Sequence, residues 1–563
     1  MAAVLVSGCT STRGGQNIAC ADFDTYALEP KPHAIVSDIQ RYGVENRGAQ
    51  LEAVARRSGP PDNGEVDAMI GRAVFGMDDA AMIEEATRLR RAYDAAAPAT
   101  RSRNTIMVNA TLEPRNVLLL SGGGQWGAYG AGLFLGMVCK EAVSAAHDPS
   151  NMPCLEETPG QKRQITDEPG AIDFASLDEM DIGVITGVST GSLQSLLLSV
   201  ILDRSQMHDT RKAALQQMLD SYAPEKQSDL VDYDGFFAVV LQGSVAGTDA
   251  LREHVKKVLE KRWGFRDGVL KPDGTYTGPA IPSRRLVDQI GFSPITTMVG
   301  VVQGRDGDFK SVNMRRMVRE IQPNDGDGNV EPTERATDCV LATTLASSAM
   351  PVFHQQLRVV SSRDDGDDDR GVTLFDGGVR RSVFISELGN AFQRRYKILA
   401  TYMGRDLYTM VDEAGRLPKM YVLRNGPTTS VFNEEVNAVD SAIEQAMRAY
   451  ELLVNELEVG SIASLRLANP YGPIQLSTAD GSENDEYPRP ATGGTVTDGL
   501  REGCKKNGEM FDPAFMVCLQ NFGIRRGMAL EFDREGERIN PFWAISPINP
   551  EPKIPVPKPA NDN

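Results

Sequence analysis

The residue best suited to nucleophilic chemistry is Ser189, which lies in the segment GVSTG at positions 187–191. This segment fits the G-x-S-x-G nucleophile elbow, a turn that raises a serine hydroxyl above the edge of a sheet. So tight a turn crowds the positions two residues before and after the serine, and Gly187 and Gly191 have the residue type that it requires. Because a short pattern of this kind also occurs by chance in a glycine-rich chain, its structural context must support it.

The flanking residues predict a strand before Ser189 and a helix after it. The apolar run 182–185 predicts a buried strand, and the apolar positions between 193 and 200 predict the inner face of a helix. The first amides of that helix and its positive dipole end would face an oxyanion formed at Ser189. We therefore predict a nucleophile elbow, with an ordinary strand–turn–helix connection as the alternative.

A second glycine segment, SGGGQWG at positions 121–127, follows a predicted strand at 116–120 and precedes a predicted helix at 128–146. Its glycines also satisfy G-x-G-x-x-G, the dinucleotide-binding fingerprint, but a second strand ending in an acid should follow about 20 residues later. Residues 145–153 have a loop composition instead, which disfavours that interpretation. A P-loop is excluded because no Gly-Lys-Ser/Thr follows. The remaining interpretation is a loop whose bare amides bind an oxyanion.

A third glycine segment, Asp376-Gly377-Gly378, follows a predicted strand at 372–375. The succession of strand–GGGxxG–helix, strand–GxSxG–helix and strand–DGG resembles the patatin-like phospholipases. The resemblance covers about residues 116–426 and includes the segment 344–353 before the aspartate. It implies an α/β fold of three layers with a mainly parallel central sheet.

The resemblance implies a catalytic dyad in which Asp376 accepts the proton of Ser189 and the serine forms an acyl-enzyme. It also implies an oxyanion hole formed by amides of Gly122, Gly123, Gly124 and Thr190. The other motif glycines are Gly127, Gly187, Gly191, Gly377 and Gly378. No cofactor and no metal ion are implied.

This chain departs from the family pattern at Trp126, where the family often has Arg or Lys. The substitution keeps the backbone donors of the loop and removes a cation, so a role for that charge is not expected here. The five histidines are scattered and lie in no recognisable motif. Only His354, just after the family-like segment, is a candidate for proximity to the site, and a satisfied surface or core histidine is the simpler expectation.

The N-terminal residues Val6-Ser7-Gly8-Cys9 resemble the lipobox of a bacterial lipoprotein. Cys9 would then carry the lipid, and the polar residues 10–17 would form a tether. No basic segment precedes this match, and its apolar part is shorter than that of a working signal peptide. We expect a lipid-anchored protein of the cell envelope facing the periplasm, or a cytoplasmic protein if the match is accidental.

The chain of 563 residues has a net charge of −18, which argues against nucleic acid as a partner because phosphates would be repelled. The same charge disfavours attraction to an anionic membrane surface, so any membrane contact should be local or apolar. No uninterrupted apolar run is long enough to span a bilayer. The acidic segments 324–329 and 364–369 lack the spacing of a calcium loop and are interpreted as solvated loops.

Six cysteines besides Cys9 allow 15 disulfide connectivities. Cys139 with Cys154 and Cys504 with Cys518 each bracket a short loop-like segment, so these are the favoured pairs. Buried free thiols are the alternative.

The chain is divided into five predicted parts. These are a lipobox and tether at 1–30, a helical extension at 31–112, a catalytic domain at 113–430, a C-terminal extension at 431–546 and a proline-rich tail at 547–563. Outside the motifs the sequence predicts a hairpin at 294–314, helices at 78–97, 248–262, 335–348 and 440–457, and strands at 396–402 and 419–424. The last helix has one apolar stripe, formed by Ile443, Met447, Tyr450, Leu453 and Leu457.

Taken together, the sequence predicts a serine-dependent lipid acyl hydrolase that acts on phospholipid or a related acyl ester. An acyltransferase or thioesterase would use the same dyad. A lipid-binding lipoprotein without catalysis is the alternative from another class, and the intact Ser189, Asp376 and glycine loop argue against it.

Overall fold

The computed structural model describes the parts of the chain that build the central sheet and its helices. The described residues are 16–20, 23–28, six positions between 83 and 95, 115–140, 154–156, 163–233, 246–263, 267–270, 276–280, 284–321, 334–351, 354, 357–360, 372–384, 418–428, 442–468, 473–482, 489–490, 496–497, 503–505, 511–529 and 540–545. Cys9, the lipobox and the proline-rich tail lie outside them, as do the predicted strand at 396–402, both acidic segments and most of the predicted N-terminal helices.

Eleven strands of the described residues form one central sheet. They are β1 (Gln16–Ala19), β2 (Ala27–Leu28), β3 (Asn116–Leu120), β4 (Ile182–Val188), β5 (Thr296–Gln303), β6 (Phe309–Asn313), β7 (Leu357–Val360), β8 (Val372–Asp376), β9 (Met420–Leu423), β10 (Ile474–Ser477) and β11 (Trp543–Ile545). The central strands are buried almost throughout, which explains why they are continuous apolar runs rather than alternating ones.

The strand order is β1-β7-β8-β5-β4-β3-β9-β10-β11, with β6 paired to β5 and to β2. Five neighbouring strands in the centre of the sheet, β5-β4-β3-β9-β10, are parallel to one another. Antiparallel neighbours join them on both sides. The predicted α/β class with a mainly parallel central sheet is confirmed. Because β3, β4 and β9 run the same way, the segments that follow them meet at one edge.

Eleven described α-helices accompany the sheet. They are α1 (Phe23–Tyr26), α2 (Gly127–Val138), α3 (Ala175–Glu179), α4 (Thr190–Ile201), α5 (His208–Ser221), α6 (Asp249–Glu260), α7 (Leu286–Phe292), α8 (Met314–Ile321), α9 (Glu334–Ser348), α10 (Ala442–Ala468) and α11 (Pro513–Gly527). Short 3-10 turns occupy Gly124–Trp126, Gln227–Asp229 and Gly377–Val379. Five two-stranded sheets pair Leu155–Glu156 with Gln164–Ile165, Asp232–Tyr233 with Ala246–Gly247, Arg262–Trp263 with Arg284–Arg285, Asp267–Leu270 with Tyr276–Ala280, and Arg489–Pro490 with Val496–Thr497.

The glycine-rich helix α2 packs closely against the C-terminal helix α11. A Cβ atom added to Gly132 would lie 2.1 Å from the Gln520 carbonyl oxygen, and one on Gly136 would lie 2.1 Å from that of Ile524. These glycines therefore allow two helix backbones to approach closely, which compensates for their low helix propensity. The helix predicted to end at 146 ends at Val138, because Cys139 has an extended backbone and enters a disulfide.

Three disulfides are present among the described cysteines. The predicted pairs Cys139–Cys154 and Cys504–Cys518 are both confirmed. The third bond, Cys20–Cys339, links the end of β1 to helix α9. Residues 16–28, which the sequence analysis placed in the N-terminal tether segment 1–30, thus supply two strands of the sheet and a covalent link to its core.

The other predicted elements are found near their expected bounds. The hairpin at 294–314 is β5 and β6, which pair antiparallel through the turn between them. The helices predicted at 248–262 and 335–348 are α6 and α9, and the strand predicted at 419–424 is β9. The helix predicted at 440–457 is α10, which continues for about three further turns.

Candidate active site

Ser189 occupies the sharp turn between β4 and α4 with φ 52° and ψ −124°. This backbone conformation is unfavourable for a residue with a Cβ atom and persists only where the surroundings enforce it. A Cβ on Gly187 would lie 2.2 Å from the Gly191 carbonyl oxygen, and one on Gly191 would lie 2.6 Å from that of Ser121. The two outer glycines of the motif are therefore required by direct backbone contact.

Helix α9 holds the elbow from the other side. The Ser189 N–H donates to the Ser347 hydroxyl at 2.9 Å, and that hydroxyl donates to the Gly300 carbonyl oxygen at 2.7 Å. Ser189 itself is buried, with 6% of its surface exposed. The segment at 344–353 that the sequence analysis associated with the family therefore supports the elbow backbone.

Strand register brings Asp376 to the level of Ser189. Val188, the residue before the serine, pairs with Gly300 of β5, and the next residue of β5, Val301, pairs with Asp376. The two candidate catalytic residues thus lie on either side of one strand, and the Ser189 hydroxyl is near enough to Asp376 to lower the pKa of its carboxyl. The glycine segments at 187–191 and 376–378 converge for this reason.

The Asp376 carboxyl is buried and accepts a hydrogen bond from the Gly378 N–H at 2.7 Å. Burial raises the pKa of Asp376 to about 7, the Gly378 N–H and the Ser189 hydroxyl lower this pKa, and the nearby Glu458 raises it. A carboxyl with a pKa close to neutrality can both take and return a proton at physiological pH.

The glycine loop lies directly beside Ser189. A Cβ on Gly122 would lie 3.2 Å from the Cβ of Ser189. Gly123 and Gly124 have φ angles of 138° and 55°, which favour glycine. Among the described residues, the N–H groups of these three glycines and of Thr190 donate to no protein acceptor. Unpaired amides next to a nucleophile are suited to bind an oxyanion.

Asn425, which follows β9, fixes the glycine loop from behind. Its side-chain amide donates to the Ser121 carbonyl oxygen at 2.9 Å and to the Gln194 side chain at 2.8 Å. Its own carbonyl oxygen would lie 1.9 Å from a Cβ on Gly123. The loop is therefore held in place by buried polar groups.

The position of Trp126 shows what replaces the cation that the family often has there. The Trp126 ring packs edge-on against Phe515 of α11, with 5.0 Å between the ring centroids. The neighbouring Gln125 side chain accepts a hydrogen bond from the Asp512 N–H at the start of the same helix. The C-terminal helix therefore holds this part of the loop by packing rather than by charge.

A buried ion pair adjoins the glycine loop at Gly122. Arg424 Nε lies 3.2 Å from Glu458 Oε2, and both side chains are almost completely buried. A second Arg424 nitrogen donates to the Asn455 side chain at 2.6 Å. A Cβ on Gly122 would lie 3.7 Å from Glu458 Oε1. A second carboxyl therefore adjoins the loop that faces Ser189.

Sequence reasoning missed Gln194, Asn425, Arg424 and Glu458. The signal for Arg424 and Asn425 was their position at and directly after the end of the strand predicted at 419–424. Glu458 lies just beyond the end of the predicted helix 440–457, and no motif marks it. Only the tertiary structure brings it to the site.

His354 is not among the groups that shift the pKa of Asp376, which are Gly378, Ser189 and Glu458. Its ring is buried, and burial lowers the pKa of His354 to about 4. It is therefore a neutral core histidine at physiological pH. Within the described residues, His, Cys, Asp and Glu form no cluster suited to hold a metal ion. None of the helices described is both long and apolar enough to cross a membrane.

A family model described as patatin-like phospholipase matches residues 118–388. The chain contains a patatin-like phospholipase domain. No curated protein matches the chain significantly. The matched part of the patatin-like domain includes the glycine loop, Ser189 and Asp376.

The match ends before β9, although this strand pairs with β3 in the centre of the sheet. Arg424, Asn425 and Glu458 therefore lie outside the matched residues, although Asn425 bonds to Ser121 of the loop and the Arg424–Glu458 pair adjoins Gly122. The site of the patatin-like domain is completed by chain that follows the match.

Proposed function

We propose that this protein is a lipid acyl hydrolase that cleaves a carboxylic ester through a Ser189–Asp376 dyad. Asp376 accepts the Ser189 proton while the serine oxygen attacks the ester carbonyl carbon. Amides of Gly122, Gly123, Gly124 and Thr190 bind the oxyanion. The alcohol leaves with the proton from Asp376 and the acyl group stays on Ser189. Water, activated by the same carboxylate, then releases the fatty acid.

The observation that carries the proposal is the position of the Ser189 hydroxyl beside Asp376, a buried carboxyl whose pKa burial raises to about 7. It supports proton transfer in both directions at neutral pH, and no third residue is needed for the proton balance. The unpaired amides of the glycine loop support stabilisation of the tetrahedral intermediate. The family match supports a lipid as the substrate.

A fluorophosphonate probe and a screen of lipid classes, with released fatty acid as the readout, test the proposal. We expect the probe to label wild-type protein at Ser189 and Ser189→Ala to lose both labelling and hydrolysis. Ser199→Ala is the matched control, because Ser199 is buried on the same helix α4 and bonds only within the fold. Wild-type protein that neither reacts with the probe nor releases fatty acid would favour the non-catalytic lipid-binding alternative.

Hydrolysis and acyl transfer share the acyl-enzyme and differ in what attacks it. Incubation with a phospholipid and a second alcohol distinguishes them by product analysis. We expect free fatty acid as the main product. A new ester as the main product would instead assign an acyltransferase.

We also propose that Cys9 carries a lipid anchor and that the protein faces an oxidising compartment. Three disulfides support the second part, because such bonds persist mainly outside the reducing cytoplasm. Labelling with radioactive palmitate in a bacterial host tests the first part. We expect incorporation into wild-type protein and none into Cys9→Ser, whereas equal labelling of both would contradict the anchor.

A further inference from the structure

Helix α10 has an arrangement of polar and apolar residues opposite to that of an ordinary surface helix. Its inner face makes polar contacts. Arg424 donates hydrogen bonds to the side chains of Asn455 and Glu458, and the Ser461 hydroxyl accepts one from the Ser382 N–H at 3.1 Å. Surface helices normally bury their apolar stripe and expose their charges. Between residues 452 and 461 this helix instead exposes four large apolar side chains and buries the charged Glu458.

The outer face has most of the large apolar side chains that are exposed in the described structure. Four of the five large apolar residues that are exposed in the described part of the chain lie here, at Leu452, Leu453, Leu457 and Val459, and Leu453 is 63% exposed. They span about 10 Å along the helix axis. We call these four residues the leucine face. Glu456 is the only charged residue from 452 to 457.

The leucine face lies close to the candidate nucleophile. Glu458, on the opposite side of the same helix, adjoins Gly122, and Gly122 adjoins Ser189. The helix itself is only about 10–12 Å across. The leucine face therefore lies about one helix diameter from the glycine loop.

From these observations we infer that the leucine face docks on the surface of a zwitterionic phospholipid bilayer and brings the Ser189 site to the lipid–water boundary. The inference rests on the proposed lipid substrate. A net charge of −18 opposes binding to an anionic surface, so an apolar face with few charges is the suitable means of contact. The polar inner face, tied to Arg424, keeps the helix oriented with its apolar side outward.

Flotation with phosphatidylcholine vesicles tests the docking directly. The measurements use the Ser189→Ala background, so that the vesicles stay intact. We expect Leu453→Ser with Leu457→Ser to weaken vesicle binding about tenfold or more. The matched control is Phe292→Ser, because Phe292 is also exposed and precedes β5 at the end of the sheet away from Ser189. We expect the control to bind vesicles as the background does.

Hydrolysis by the otherwise wild-type protein separates docking from chemistry. We expect the double variant to keep its rate on a water-soluble short-chain ester within about twofold and to lose about tenfold on phosphatidylcholine vesicles. If wild-type protein hydrolyses neither substrate but binds vesicles through the leucine face, the proposed function fails and the docking stands.

Three results would overturn the docking. The first is unchanged vesicle binding by the double variant. The second is a wild-type dimer that the double variant dissociates in light scattering, which would assign the face to a second copy of the chain. The third is a fall in Tm of more than about 5 °C without loss of vesicle binding, which would assign it to another segment of this chain.

Discussion

Helices α4 and α10 flank the same candidate nucleophile and are built on opposite principles. Helix α4 begins directly after Ser189 and is buried along nearly its whole length, so its apolar residues pack in the core. Helix α10 exposes Leu452, Leu453 and Leu457 and buries Glu458 against the site. The apolar residues of the first helix are covered by the core, whereas the second helix has a buried ion pair with Arg424 on its inner side.

The comparison shows what an apolar stripe predicts about a helix and what it leaves open. The apolar positions of α4 do face the core. The apolar stripe predicted for 440–457 included Leu453 and Leu457, and both are exposed. An apolar stripe indicates which face avoids water, but it does not identify what covers that face. The five predictions that follow test the two sides of the site separately.

The largest effect is expected on the α4 side, at the dyad. Asp376→Asn removes the proton acceptor and keeps the hydrogen bond from the Gly378 N–H, so we expect kcat to fall about 10²- to 10⁴-fold. Ester hydrolysis by purified, folded protein measures this. A variant with nearly wild-type kcat would show that another group acts as the base.

The next effect concerns the glycine loop between the two helices. Gly123→Ala would place a Cβ 1.9 Å from the Asn425 carbonyl oxygen and so displace the loop amides, and we expect kcat to fall about 10²-fold or more. Gly124→Ala is the matched control, because no heavy atom lies within 4 Å of its added Cβ. Equal losses in both variants would mean that backbone strain, rather than this contact, is responsible.

The pH dependence of the wild-type enzyme follows from the pKa of Asp376, which burial raises to about 7. The carboxyl must be ionised to accept the Ser189 proton. We therefore expect kcat/KM to fall about tenfold for each pH unit below 7 and to level off above it. A profile that is flat from pH 5 to 8 would contradict this assignment.

The same raised pKa makes Asp376 a source of instability. A group whose pKa is about 7 in the folded state and near 3.8 when unfolded takes up a proton on folding, so its contribution to stability falls as pH rises between these values. We expect Asp376→Asn to have a higher Tm than wild-type protein at pH 8 and a smaller advantage at pH 4. Calorimetry at both pH values measures the difference, and a lower Tm at pH 8 would contradict it.

The smallest effect is expected on the inner face of α10. Burial is the main cause of the raised pKa of Asp376, and the charge of Glu458 is a smaller one. Glu458→Gln should therefore move the acid limb of kcat/KM to lower pH by less than about one unit. Glu456→Gln is the matched control on the exposed face of the same helix. An equal shift of the acid limb in both variants would contradict a specific effect of Glu458 on the pKa of Asp376.

The sequence predicted the parts of the site that consist of backbone geometry. A tight turn needs glycine at 187 and 191, and an open amide loop needs glycine at 122–124, so both can be recognised without coordinates. The nearest-neighbour disulfides were predictable too, because Cys139–Cys154 and Cys504–Cys518 each close a short loop. Cys20–Cys339 was not, because its partners are 319 residues apart and meet only when β1 joins the sheet.

What the sequence by itself determined was local backbone geometry: a tight turn at Ser189 and a loop of bare amides, each set by local steric requirements. Asp376 was predicted from the resemblance to a family, because it follows a strand in the expected motif. The tertiary structure alone decided which buried charges surround them and which side of α10 faces water. The reason is that burial and pairing of Arg424, Glu458 and Asn425 depend on strands and helices far apart in the chain, and no local periodicity records such contacts.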